Sequence, residues 1–206
     1  MARISKEDQE VVKNKIIEVS RRLFNDVGFD KASTKMIAKE TGIAEGTIFN
    51  YFSSKDEIFF EVFYLDHIND MDEGIYKHDT DKDIIEEINN NIFKVISKML
   101  RMPKRVLLEM GIVTIKIAKK KPEFFKKMAS MDFKYMEIIA EYLDGMIKED
   151  ELREFDTKKM SEIIFGILTY ELFLYLYEKD LTKKELKETI KEKLEILLRG
   201  YIKGGN

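Results

Sequence analysis

Cysteine is absent from the 206 residues, which excludes a disulfide scaffold, a thiolate metal site and a cysteine nucleophile together. Proline occurs twice and glycine ten times, well below their average usage of about 5% and 7%. So little turn chemistry argues for long helices joined by short links, against a many-stranded sandwich or barrel. Only two histidines occur, His67 and His78, and neither sits in a pattern that would ligate a metal. No segment approaches the ~20 apolar residues that span a bilayer. The opening Met1-Ala-Arg-Ile-Ser-Lys-Glu-Asp is charged where a signal peptide needs an apolar stretch. A cytoplasmic protein with no membrane partner is expected.

What is present is charge and ordinary hydrophobicity. Charged residues make up 36% of the chain and hydrophobic ones 44%; the first exceeds the usual ~25%, and the second suits a packed core. The length corresponds to one or two domains and allows a core without covalent staples. Net charge is −3, but it is unevenly placed. Residues 1–55 carry ten Lys+Arg against eight Asp+Glu, net +2, and the remainder 26 against 31, net −5. A mildly basic amino-terminal module on an acidic body is a weak pointer to a polyanionic partner.

Apolar residues recur at intervals of three and four almost throughout, the period of packed helices. The pattern predicts an all-α fold of about nine helices: about 6–27, 34–41, 44–51, 54–71, 83–101, 103–119, 122–148, 157–179 and 182–203. Ser54-Lys-Asp-Glu57 and Thr182-x-x-Glu185 read as capping boxes, and Pro103 and Pro122 stand where helices begin. The expected division is a small head over 1–53 and a larger body over 54–206, with the fourth helix connecting them. An Asp79-x-Asp81-x-Asp83 run has the look of a calcium loop. It fails the test, because Ile84 stands where glycine is needed and Asn90 where glutamate is needed.

The informative stretch runs from Thr34 to Phe52. Two short helices crossing through a tight turn need a small residue at the crossing, supplied by Ala38. They need a residue tolerant of positive φ in the turn, supplied by Gly42. Ile37, Ile43 and Ile48 supply the apolar contacts back to a supporting helix. This is helix-turn-helix spacing, in which the start of the second helix meets base edges in the major groove. Glu45, Gly46, Thr47, Phe49, Asn50 and Tyr51 lie there. Gly46 allows close backbone approach, Thr47 and Asn50 can bond bases, and Tyr51 can reach a phosphate. Ser33, Thr34 and Lys35 flank the start of the preceding helix, and Lys55 opens the fourth; both places favour phosphate oxygens. Each residue also has a bland reading: core aromatic, helix cap or surface lysine. Together they favour DNA.

With these residues in view, the sequence resembles the TetR-type transcriptional regulators. The resemblance rests on Phe24, Gly28-Phe29, Ser33-Thr34, Ile37-Ala38, Gly42-Ile43-Ala44, Gly46-Thr47-Ile48-Phe49, Tyr51-Phe52 and Ser54-Lys55-Asp56-Glu57, in order and without gaps. It covers about the first quarter of the chain. One departure is Phe49, where that family commonly has tyrosine, so a phosphate bond from that hydroxyl is lost. The resemblance implies a homodimer on a partly palindromic double-stranded DNA operator, usually repressing, and released by a small molecule held in the carboxy-terminal body.

The body itself carries no comparable motif. Residues 160–177 are apolar almost all round, and Leu186, Ile190, Leu194 and Leu197 stripe the last helix. Together with Phe165, Leu168 and Leu172 these are the expected dimer contacts, with an intramolecular core as the competing explanation. Phe93, Met99, Met110, Phe133, Met136, Tyr142 and Tyr170 are the expected lining of an adaptable apolar pocket. That composition favours a hydrophobic effector. An enzyme is not expected, since neither histidine has the glutamate three residues earlier that a helical carboxylate metal centre needs. No Walker loop, dinucleotide fingerprint or nucleophile elbow occurs, and no cofactor is expected. The rival reading is a helical protein–protein interaction module without DNA binding.

Overall fold

A computed structural model describes residues 5–71, 83–97 and 99–203. His78, Asp79, Asp81 and the side chain of His67 lie outside the described residues. Among the described residues nine α-helices follow one another: α1 Lys6–Val27, α2 Thr34–Thr41, α3 Glu45–Ile48, α4 Lys55–Met71, α5 Ile84–Ser97, α6 Lys104–Lys120, α7 Pro122–Lys148, α8 Thr157–Tyr177 and α9 Lys183–Leu198. A 3₁₀ turn, Met99–Arg101, separates α5 from α6. Among the described residues the sole β feature is an isolated antiparallel bridge between Leu152 and Ile202.

The helix boundaries follow from their caps. Ser5 opens α1 by accepting from the Asp8 N–H at 3.0 Å, and Gly28 at φ 84 closes it. Asp156 accepts from the Lys159 N–H to open α8. Thr182 and Glu185 form a reciprocal capping box, and its two hydrogen bonds hold the Glu185 carboxyl below its ordinary pKa. The expected box at Ser54 is only half made. Ser54 accepts from the Glu57 N–H, but Glu57 reaches back to the backbone and hydroxyl of Ser53 instead. α3, α5, α8 and α9 are shorter than their periodicity predicts. α3 is helical over four residues and then tightens, with the Asn50 and Tyr51 N–H groups bonding three residues back to Thr47 and Ile48. α9 ends at Leu198, after which the chain turns, and Arg153 and Lys203 donate across to Tyr201 and Glu151.

The chain divides into two compact units, Met1–Asn69 and Asp70–Asn206. The division falls at the far end of α4, one helix beyond the boundary expected at residue 53. In the first unit Ile16, Ile17, Leu23, Phe24, Ile37, Ala38, Ile48, Phe52, Ile58 and Val62 form a closed core. Phe24, Phe29 and Phe59 pack ring against ring at 4.5 to 5.6 Å, adding to simple area burial. Arg21 bonds Asp66 at 2.8 Å between α1 and α4, a surface pair contributing about 0–1 kcal/mol. In the second unit α5, α7, α8 and α9 enclose a larger core that includes Ile88, Ile92, Ile139, Leu143, Met146, Leu168, Leu186, Ile190 and Leu194.

One expectation from the hydrophobic pattern needs refinement. α8 is long and apolar enough to cross a membrane by length and composition, with a third of its apolar window buried. It packs against α7 and α9.

Candidate nucleic-acid interface

The α2–turn–α3 segment is built outward from three buried anchors. Ile37 and Ala38 on α2 and Ile48 on α3 are at most 3% exposed. Full burial of a residue like Ile48 contributes about 1.5–3 kcal/mol. Gly42 adopts the left-handed conformation at φ 78, and its N–H returns to the Ala38 carbonyl. A side chain there would strain the turn, so glycine fixes where α3 departs. Thr41 is buried and satisfies its hydroxyl on the Ile37 carbonyl at 2.6 Å.

With those anchors inward, the opposite side faces solvent. Lys35, Glu45, Gly46, Phe49 and Asn50 are exposed; Ser33, Thr34, Thr47, Tyr51 and Lys55 are partly so. Phe49, at 51% exposure, is a large apolar ring on an otherwise polar edge, as a thymine-methyl contact requires. Gly46 has open space where a Cβ would sit. The ten expected DNA residues therefore lie on one continuous stretch of the first unit, and none is sealed in the core.

Four of them also hold the local structure. Ser33 caps α2, accepting from the Met36 N–H at 3.2 Å. The Thr34 hydroxyl donates to the Glu45 carboxylate at 2.6 Å, tying the start of α2 to the start of α3. That bond gives an acidic side chain a reason to sit on a surface meant for a polyanion. Lys55 turns its ammonium onto the Phe29 and Ala32 carbonyls at 2.7 and 3.0 Å, above the Phe29 ring at 4.1 Å. An ammonium has three N–H donors, so one remains for a phosphate. Sequence alone led us to expect a phosphate contact from Lys55 but did not reveal this internal role, which depends on the α1–α2 loop folding back to α4.

The residues expected to line a pocket do not converge. Tyr142 is buried and bonds Glu87 at 2.5 Å. Phe93 and Met99 pack against the body core, and Met110 and Met136 are half-buried. Phe133 and Tyr170 are 67% and 55% exposed, so they point outward and enclose nothing. A cavity of about 610 Å³ lies elsewhere, between α6 and α7, and contains none of the seven. Among the expected dimer contacts, Leu168, Leu186, Ile190 and Leu194 are core residues of the chain's own second unit. Phe165, Leu172 and Leu197 are half-buried against that same core. The stripe on α9 therefore faces inward. The apolar residues that α8 and α9 leave exposed are Ile163, Tyr170, Phe173, Tyr177 and Ile196. Periodicity identifies an apolar face, but not which neighbour covers it.

Among the described residues no group of three or more His, Asp or Glu side chains is arranged to hold a metal.

Comparison with known proteins agrees with this geometry. The model of the family described as bacterial regulatory proteins, tetR family, matches residues 16–62, which span most of α1 through the first half of α4. The chain is 23% identical over 189 residues to the fatty acid metabolism regulator protein of Bacillus subtilis (strain 168), covering 90% of this chain and 93% of that one. It is 33% identical over 69 residues to the HTH-type transcriptional regulator AcrR of Shigella flexneri, covering 34% of this chain and 32% of that one. The fold is shared with the crystal structure of a TetR-family transcriptional regulator from Pectobacterium atrosepticum. The TM-score is 0.62 at 18% identity, covering 98% of this chain and all of that one.

Proposed function

The chain belongs to the TetR family of DNA-binding transcriptional regulators, and from that premise we propose that it is a homodimeric repressor released from its operator by a small hydrophobic ligand. The observation that carries the DNA-binding half is the division of α2–turn–α3 into a buried apolar side and an exposed polar one. Thr47 and Asn50 read base edges; Ser33, Thr34, Lys35, Tyr51 and the remaining donor of Lys55 hold phosphates. Glu45 positions Thr34, Gly46 lets the backbone approach, and Phe49 meets a methyl group.

A two-fold operator demands a dimer, since recognition helices must reach half-sites about 34–36 Å apart or a multiple of it. The exposed face of α8 supplies the surface. Ile163, Gly166, Tyr170, Phe173 and Tyr177 step by three and four residues, the spacing of a helix–helix seam. Gly166 has open space at its Cβ, which permits a close helix approach. These residues replace the inward-facing stripe of α9 as the contacts.

The ligand acts by shifting a population. α4 runs on to Met71, past the division between the units at Asn69. A body conformation stabilised by ligand changes how α4 presents the paired heads. Moving that equilibrium from 1:99 to 99:1 takes about 5.5 kcal/mol of differential affinity, and ligand and DNA then weaken each other reciprocally. A relative whose name refers to fatty acid metabolism supports a hydrophobic effector. A chromosomal partner implies the cytoplasm.

Operator sites selected from genomic DNA test this reading. Binding to a two-fold symmetric site, falling steeply with salt through counterion release, is the expected result. Absence of any selected sequence, or binding indifferent to salt, would leave the helical interaction module as the better description.

A further inference from the structure

The corner between α6 and α7 carries chemistry that DNA binding does not use. Residues 116–127 contain six lysines and one glutamate, inside a unit whose net charge is otherwise acidic. At that corner lies the cavity of about 610 Å³, within the 300–1,000 Å³ range of small-molecule sites. Its existence follows from residue size. Ala118 on α6 and Ala129 on α7 line it, and two small side chains leave the helices unfilled along that groove. Ile115 and Phe125, 66% and 68% exposed, also line it. Lys119 on α6 and Lys126 on α7 line the corner end from opposite helices, and both are exposed.

The acid in the lining, Asp132, stands at the other end. It lies six residues along α7 from Lys126, about 9 Å at the helical rise. From Pro122 to Asp132 the groove follows about 15 Å of helix. The site is therefore polarised: cations at the mouth, apolar walls along its length, and no cation opposite the walls. A concave slot of this form suits one chain with one charged end. A flat bilayer surface would instead need the apolar residues to protrude around a convex rim.

We propose that the α6–α7 cleft binds a free amphipathic monoanion, a single apolar chain ending in a carboxylate, with the head between Lys119 and Lys126 and the chain against Ile115, Ala118, Phe125 and Ala129. The proposal concerns binding alone and requires no coupling to the DNA-binding head.

The chain has no tryptophan, so Phe125→Trp places a single tryptophan, excited apart from the tyrosines, in the cleft at an exposed position. Full-length Phe125→Trp protein is titrated with dodecanoate below its micelle concentration, then with dodecyltrimethylammonium, butyrate and phosphatidylglycerol vesicles. Dodecanoate should give a saturable emission shift, while the cationic detergent and the short acid bind at least about tenfold more weakly. Adding Lys119→Glu and Lys126→Glu should weaken dodecanoate by about tenfold or more, as expected for two reversed charges near the surface. Adding Ala118→Phe, which fills the slot without touching charge, should remove the shift. The proposal is overturned by no saturable shift, by equal response to the cationic detergent, by indifference to the lysine reversals, or by a shift seen only with vesicles. Operator binding measured on the same preparations reads the regulatory role separately, so either can fail alone.

Discussion

The two units spend their exposed surface differently. Among the described residues of the first, the large apolar side chains left in solvent are Val11, Val27 and Phe49, and the other exposed ones are polar, charged or small. The second leaves Leu108, Ile112, Ile115, Phe125 and Phe133 on α6 and α7, and Ile163, Tyr170, Phe173, Tyr177 and Ile196 on α8 and α9. A contiguous apolar surface is a binding surface in waiting, whereas hydroxyls, amides and a spare ammonium suit a hydrated polyanion. The head is thus finished as a fold and incomplete only toward DNA. The body leaves apolar side chains uncovered in two places, the outer face of α8 and the α6–α7 corner, where we propose a second copy and a ligand.

The contrast is breakable, beginning with the largest effect. Ile48→Ala empties a fully buried site in the smaller core and should cost the head about 2–5 kcal/mol. Chemical denaturation should show an early transition with most of the helical signal retained, and operator binding should vanish. A single transition at unchanged midpoint would refute the separation of the two cores. Next, Tyr170→Glu with Phe173→Glu should lower the dimer dissociation free energy by about 2 kcal/mol or more per aromatic. Sedimentation velocity should then show monomers at concentrations where the wild type is dimeric.

Lys55→Ala should lower head stability by about 1.5–3 kcal/mol, because two carbonyls lose a charged donor. It should also reduce the salt slope of operator binding by about 0.9. An unchanged slope would make Lys55 purely structural. Thr47→Ala should cost about 1–3 kcal/mol of discrimination at one base position while leaving the salt slope alone, as competition shifts with single-base operator variants would show.

The smallest effect belongs to the body. Lys191 bonds Glu86 at 2.5 Å and holds its carboxyl below the ordinary glutamate value. The folded chain therefore binds that proton less readily than the unfolded one. The stabilisation is present above the ordinary glutamate pKa and drains away as pH falls through the lowered one. Thermal melts of Glu86→Gln should lie slightly below wild type at neutral pH and converge with it in acid. A gap that widens in acid would reverse the sign.

Legibility in the sequence followed how local the cause was. The first two helices were readable to the residue, since Ser5, Gly28, Ser33 and Gly42 cap them from adjacent positions. The recognition segment was readable because its glycine, its small crossing residue and its isoleucines sit within fifteen residues of one another. α9 was read too long, since its end is fixed by backbone bonds from residues 201–203 to the distant 151–153 segment. The body sites could not be assigned from the sequence for the same reason. Leu186, Ile190 and Leu194 have the period of a seam, and nothing within α9 says whether the seam meets α5 and α8 or another chain.

From residue order alone came the all-helical class, the turn at Gly42 and which side chains of the α2–turn–α3 segment stay out of the core. Those depend on backbone preferences and a 3.6-residue period that act over a few neighbours. Only packing decided which apolar faces were consumed internally, that Lys55 folds back onto two carbonyls, and that two alanines on antiparallel helices leave a lysine-mouthed slot. Each of these depends on which distant surfaces meet, and a helix exposes the same side chains whatever comes to cover them.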